Sequence, residues 1–120
     1  MKTVKYNSMI NELLLRFPIL KSVYEDEGDY IKDIKHLSYS IVFVPYIRQV
    51  VLSNDENMIR SVCNFMECMA NADDKLVSEL LAVSVLESIL CEREIISSLK
   101  PYLGIKTLKI LSVMEKEYGW

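Results

Sequence analysis

The chain is poor in the residues that break regular structure. It has three glycines and three prolines in 120 residues. That scarcity excludes a loop-rich or all-β fold and argues against disorder. It has one histidine and three cysteines, Cys63, Cys68 and Cys91, with no C-x-x-C spacing. A zinc site needs more such ligands than this, and on a helix Cys63 and Cys68 point to different faces. The cysteines therefore read as buried free thiols of a reducing compartment. No run approaches the roughly 20 apolar residues that span a membrane, and the apolar part of the first 18 residues is too interrupted for a signal peptide. The cytoplasm is the expected location. A basic excess is also missing: the net charge is −3 and the pI near 5.2, which disfavours nucleic acid as a partner and suits a basic protein.

Chemistry-bearing motifs are equally scarce. The glycines Gly28, Gly104 and Gly119 are isolated, so no phosphate loop exists, and no G-x-S-x-G or H-E-x-x-H occurs. His36 stands in a charged stretch and reads as a surface histidine without a catalytic partner. Glu67 and Glu87 flank apolar stripes and are candidates for partial burial. Six methionines at helical spacing read as core. No catalytic residue, cofactor or metal is expected, and the chain reads as a non-enzyme.

What is present is helical periodicity. Half of the residues are hydrophobic, ample for one core, and 120 residues make one domain. The stretch NFMECMANADDKLVSELLAVSVLESIL, residues 64–90, reads as two amphipathic helices about an acidic turn at 71–74. Phe65 and Met69, then Leu76, Leu80, Val83 and Leu86, form the apolar stripes, with Val77, Leu81 and Ala82 on or beside the second. The remaining helices are expected over 4–17, from Pro18 through 27, over 38–53, over 56–70, over 75–90, over 92–103 and over 106–118. Ile19, Leu20, Val23 and Tyr24 are expected to face inward in the second. Residues 31–37 read as a turn or irregular loop, with Lys32, Asp33 and Lys35 interleaved. Pro45 is expected to start or kink the third long helix. The fold expected for residues 1–120 is all-α: a single domain of six to seven antiparallel helices, HEAT-like or an irregular bundle.

Charge is uneven. Residues 61–99 hold seven acids against two bases, whereas residues 100–120 hold four lysines against two glutamates. The stretch YEDEGDY at 24–30 carries four carboxylates and no base. Together with the acidic middle it suggests one negative surface, able to speed association with a basic partner. Asp73 and Asp74 also suit the cap and first turn of a helix.

Two segments together resemble a known group. VFVPYIRQVVLSNDENMIRSVCNFMECMANADDKLVSELLAVSVLESI and KPYLGIKTLKIL carry a Pro-Tyr helix, F-x-E, an acidic turn, V-S-x-L-E and a Leu-Gly turn before a last helix. The positions are Pro45, Tyr46, Phe65, Glu67, Asp74, Val77, Val83, Ser84, Leu86, Glu87, Leu103, Gly104 and Thr107. This pattern, over about two-thirds of the chain, resembles small all-helical immunity proteins of bacterial toxin systems, including contact-dependent growth inhibition. Glu79 departs from it, since Asn is common there. The resemblance implies an immunity protein that binds and neutralises a cognate toxin domain, the alternative being a helical scaffold or adaptor. Glu25, Asp26, Glu27, Asp29 and Tyr30, then Asp73, Asp74 and Glu79, are the expected partner-binding residues. The expected partner is a basic protein, with neither nucleic acid nor membrane, and the free protein is expected to be a monomer or weak homodimer.

Overall fold

The computed structural model describes residues 4–32 and 34–120. Asp33 of the mixed-charge stretch, and residues 1–3 of the N-terminal segment, lie outside the described residues. Among those described there are seven helices and no strand, so the fold is all-α.

A single 3₁₀ turn, Tyr6–Ser8, leads into α1, Met9–Arg16. Met9, Leu13 and Phe17 are buried, at the four-residue spacing of one helix face. Pro18 and Ile19 start α2, Leu20–Asp26. The expected inward face of α2 is only half right: Leu20 is buried, but Ile19 is 68% exposed and Val23 is 40% exposed. The helix is two turns long and lies on the surface, so one residue per turn suffices to anchor it. Gly28, at φ +97°, then reverses the chain in a conformation that costs glycine little. A 3₁₀ turn at Asp29–Ile31 buries Ile31.

α3 spans 35–52 and corrects two expectations. Lys35, His36 and Leu37 are helical rather than loop. Pro45 does not start the helix, which runs through it. Instead the turn before it, Tyr39–Phe43, widens to π geometry, with the Val44 N–H bonded to the Tyr39 carbonyl. A proline removes one N–H and crowds the carbonyl four residues back, and a widened turn relieves both.

Asp55 caps α4, Glu56–Ala70, by accepting from the Met58 N–H at 3.2 Å. α5 runs over 75–89 and also contains a π segment, Leu81–Leu86. The inward stripe starts at Val77 instead of Leu76, and the wider turn then rotates the residues after it, so that Leu86, Ile89 and Leu90 stay inward. Val77, Leu80, Leu81, Ser84, Val85 and Leu86 face inward, while Leu76 is 50% exposed and Val83 is 54% exposed. α6, Arg93–Leu99, ends in a 3₁₀ turn at Lys100–Tyr102, and α7 is Ile105–Glu117.

The two π segments pack against each other at the centre, and α4 lies against both α3 and α7. Phe17, Phe43 and Phe65 form an aromatic cluster with centroids 5.5–5.6 Å apart. Tyr39 stacks edge-on to Phe43 and donates its buried hydroxyl to the Met9 carbonyl at 2.8 Å, fastening α3 to α1. Outside the core, Arg48 grips Glu92 through two parallel hydrogen bonds of 2.8 Å, pinning the α5–α6 turn to α3.

Candidate partner-binding surface

The F-x-E and Leu-Gly segments meet inside the scaffold. Glu67 leaves α4 beside the start of α7. Its carboxylate accepts from the Thr107 N–H at 2.9 Å, the Thr107 hydroxyl at 2.8 Å, the Lys106 N–H at 3.1 Å and the Asn71 amide at 2.9 Å. It thereby caps α7 from outside that helix and sets a negative charge on its positive end. Burial opposes ionisation of Glu67. The hydrogen bonds from Thr107, Lys106 and Asn71 outweigh it, and the carboxyl titrates below the ordinary glutamate range. Gly104 holds the position where the carboxylate passes: a Cβ there would lie 2.2 Å from Glu67 Cδ. Thus F-x-E and L-G-x-x-T are two halves of one helix cap. As expected Glu67 is partly buried, but Glu87 is exposed.

Asp74 has a similar duty. It caps α5 through the Leu76 N–H at 3.1 Å and accepts from the Tyr6 N–H at 2.9 Å. The Tyr6 bond is the main reason its carboxyl titrates below the ordinary range, with Leu76 and the charge of Lys5 adding to it against desolvation. Of the expected partner-binding residues, Asp74 is therefore committed to the fold. Asp73 beside it is exposed.

The acidic stretch after α2 is partly engaged with itself. Tyr30 donates to Glu27 at 2.7 Å, which holds its own hydroxyl above the ordinary tyrosine range. Asp29 pairs with Lys32 at 3.2 Å on the surface, an interaction of small worth. Glu25 and Asp26 are exposed at the end of α2.

On α5 the carboxylates are arranged differently. Glu79 and Glu87 are exposed, with Val83 between them and Leu76 at the edge. Neither glutamate forms an ion pair among the described residues. The widened turn keeps these residues, each four apart, closer to one line than a regular helix of 3.6 residues per turn would. The result is an outward face that alternates acid and apolar side chains. Val83 and Glu87 were not among the expected site residues, because the α-helical period assigns Val83 to the core.

His36 is half-buried rather than a free surface side chain. Its Nδ1 lies 2.5 Å from the Ser84 hydroxyl across the seam between the π segments. The Ser84 carbonyl accepts from the Ser88 hydroxyl at 3.0 Å and the Ser40 hydroxyl at 3.3 Å. Wide turns displace carbonyls from their usual partners, and these serine hydroxyls satisfy them. Ser84 is buried and faces the seam, so this Ser–His pair offers no open side to a substrate. Among the described residues no group of three His, Cys, Asp or Glu is placed to hold a metal ion. No buried side-chain nitrogen or oxygen among them lacks a partner. A shallow depression of about 300 Å³ is lined by Val4, Glu12, Leu15, Arg16, Phe65 and Cys68, with Arg16 over the Phe65 ring. Of the three thiols expected to be buried, Cys63 is buried, Cys68 is half-buried and Cys91 is exposed. No helix among the described residues is long and apolar enough to cross a membrane.

No curated protein and no solved structure matches this chain. A family model described as Domain of unknown function (DUF7674) matches residues 10–119, and the chain belongs to that family.

Proposed function

We propose that this domain acts by binding another protein, without catalysis, and that it is an immunity protein that neutralises a basic toxin domain inside the producing cell. The observation that carries the reading is the outward face of α5, where Glu79 and Glu87, with no ion pair among the described residues, flank exposed Val83. An acid–apolar face on a rigid helix offers charge for steering and apolar area for a lasting contact. Glu25 and Asp26, exposed at the end of α2, and Tyr30, exposed in the turn after it, add charge and an aromatic side chain to the binding surface. Its motif-level likeness to small helical immunity proteins names the class of partner, by analogy of fold.

The test is co-expression with the C-terminal domain of the large secreted protein encoded upstream. A tight complex, with cells protected from that domain, is the expected result. Substituting Glu79→Lys together with Glu87→Lys is expected to slow association at least tenfold and to lessen its salt dependence. No complex and no protection would overturn the immunity reading. A helical scaffold for some other protein is the second reading. It is favoured by Leu15, 75% exposed at the rim of the shallow depression.

A further inference from the structure

The shallow depression of about 300 Å³ is walled by two helices. Glu12, Leu15 and Arg16 lie on one side of α1, and Phe65 and Cys68 on one side of α4, by the three- and four-residue spacing of a helix face. Phe65, buried, is its floor and Leu15, exposed, its rim. Arg16 is exposed and makes no hydrogen bond or ion pair among the described residues. Its guanidinium lies over the Phe65 ring, 5.5 Å from the centroid. An aromatic face under a guanidinium orients the planar fork without using its N–H groups, and that fork fits a carboxylate. One turn away, Glu12 lines the same depression with the opposite charge. Glu12 already has a partner, but a carboxylate has lone pairs for several donors and can take an ammonium as well. The rest of the lining is Val4, Leu15 and Phe65, with the Cys68 thiol.

We infer that this depression binds a free α-amino acid with an apolar side chain. Arg16 receives the carboxylate, Glu12 the ammonium, and Val4, Leu15 and Phe65 the side chain. Three features argue for this ligand. The lining holds one cation and one anion, so a ligand of single charge meets repulsion: a plain acid faces Glu12 and a plain amine faces Arg16. The two charged side chains stand one turn apart on the same helix, close enough to serve charges carried on a single carbon. The volume, about 300 Å³, is at the lower end of small-ligand pockets, and suits an amino acid better than a cofactor. A residue within a peptide lacks both charges and a terminal residue lacks one, so only the free amino acid carries the full set. The inference stands apart from the immunity reading, which rests on α5.

Cys68 supplies the readout, because it lines the depression and Cys91 does not. At about 20 mM, L-leucine is expected to slow maleimide labelling of Cys68 about fivefold, as for a site of millimolar affinity, and to leave exposed Cys91 unchanged. N-acetyl-L-leucine, which lacks the ammonium, and L-leucinamide, which lacks the carboxylate, are expected to protect Cys68 poorly. Arg16→Met keeps an apolar stem over Phe65 and loses the fork, so Cys68 in that variant is expected to label equally fast with and without leucine. Arg16 is exposed, and circular dichroism confirms that the variant is folded before it is labelled. Labelling of wild-type Cys68 that ignores leucine overturns the inference. So does equal protection by either blocked form, or protection that survives in Arg16→Met.

Discussion

Gly104 and Glu67 are coupled, and the coupling is measurable. The backbone at Gly104, φ −74° and ψ 170°, suits any residue, so the demand for glycine there is one of space alone. A new Cβ would lie 2.2 Å from Glu67 Cδ and 2.4 Å from its Oε1. Gly104→Ala must therefore push Glu67 out of its cap. Losing a cap costs about 0.5–2 kcal/mol and losing a charge at a helix N-terminus about 0.3–1 kcal/mol, so Glu67→Ala is expected to cost about 2 kcal/mol. Unfolding entropy near 2.1 cal/mol/K per residue makes that about 8 °C in Tm for a chain of this length. Gly104→Ala is expected to cost about the same, because it destroys the same cap. The double variant is the decisive one. With Glu67 already truncated the new methyl has room, so the pair is expected to cost about 2 kcal/mol, not about 4. Urea unfolding followed by circular dichroism, as a double-mutant cycle, supplies all three values. Additive losses, or a Gly104→Ala variant as stable as the wild type, would refute the cap. The pH dependence gives an independent reading. Glu67 ionises more readily folded than unfolded, so its contribution is complete above the ordinary carboxylate pKa and is lost as the pH falls through its lower folded value. Glu67→Gln should lose stability at neutral pH and shed that part of the acid limb.

The thiols should label in order of exposure. Cys91 should react with a maleimide at once and Cys68 more slowly, while Cys63, whose thiol burial pushes up to about 12, should react only on unfolding; early labelling of Cys63 by mass spectrometry would contradict its burial. Tyr39→Phe leaves the Met9 carbonyl without its partner and should cost about 1–2 kcal/mol in thermal unfolding, and a neutral result would show that bond to be idle. Ser84→Ala removes the partner of His36 and should cost about 1 kcal/mol; if His36→Ala costs as much again on top, the two do not interact across the seam.

The long helices were legible because their ends are written in local chemistry. Asp55 and Asp74 each accept from a first-turn amide, as their types and positions foretell, and α4 begins and ends where its pattern does. Gly104 is the N-cap residue of α7, and its neighbour Glu67 is 37 residues away, so no local pattern links them. The inward face of α5 was misassigned for another reason. Leu76 and Val77 serve a 3.6-residue period equally well as its start, and the later π segment, with no signature as plain as a proline, alters the period only for Leu86, Ile89 and Leu90. Val83 faces outward because the stripe starts at Val77.

These errors bear on where function is sought. Part of the motif serves the fold: Glu67 holds Thr107, Asp74 caps the helix at Leu76, and Phe65 packs on Phe17 and Phe43. Those residues answer to the fold and not to a partner. Binding specificity must then reside in side chains that the scaffold leaves unused. On α5 those are Glu79, Val83 and Glu87, and in the motif V-S-x-L-E the serine and leucine face inward while the valine and glutamate face out. A single short pattern thus holds both roles, split by a widened turn. Changing Ser84 should alter stability and leave partner affinity intact. Changing Glu87 should do the reverse, and that separation is what the two-sided helix requires.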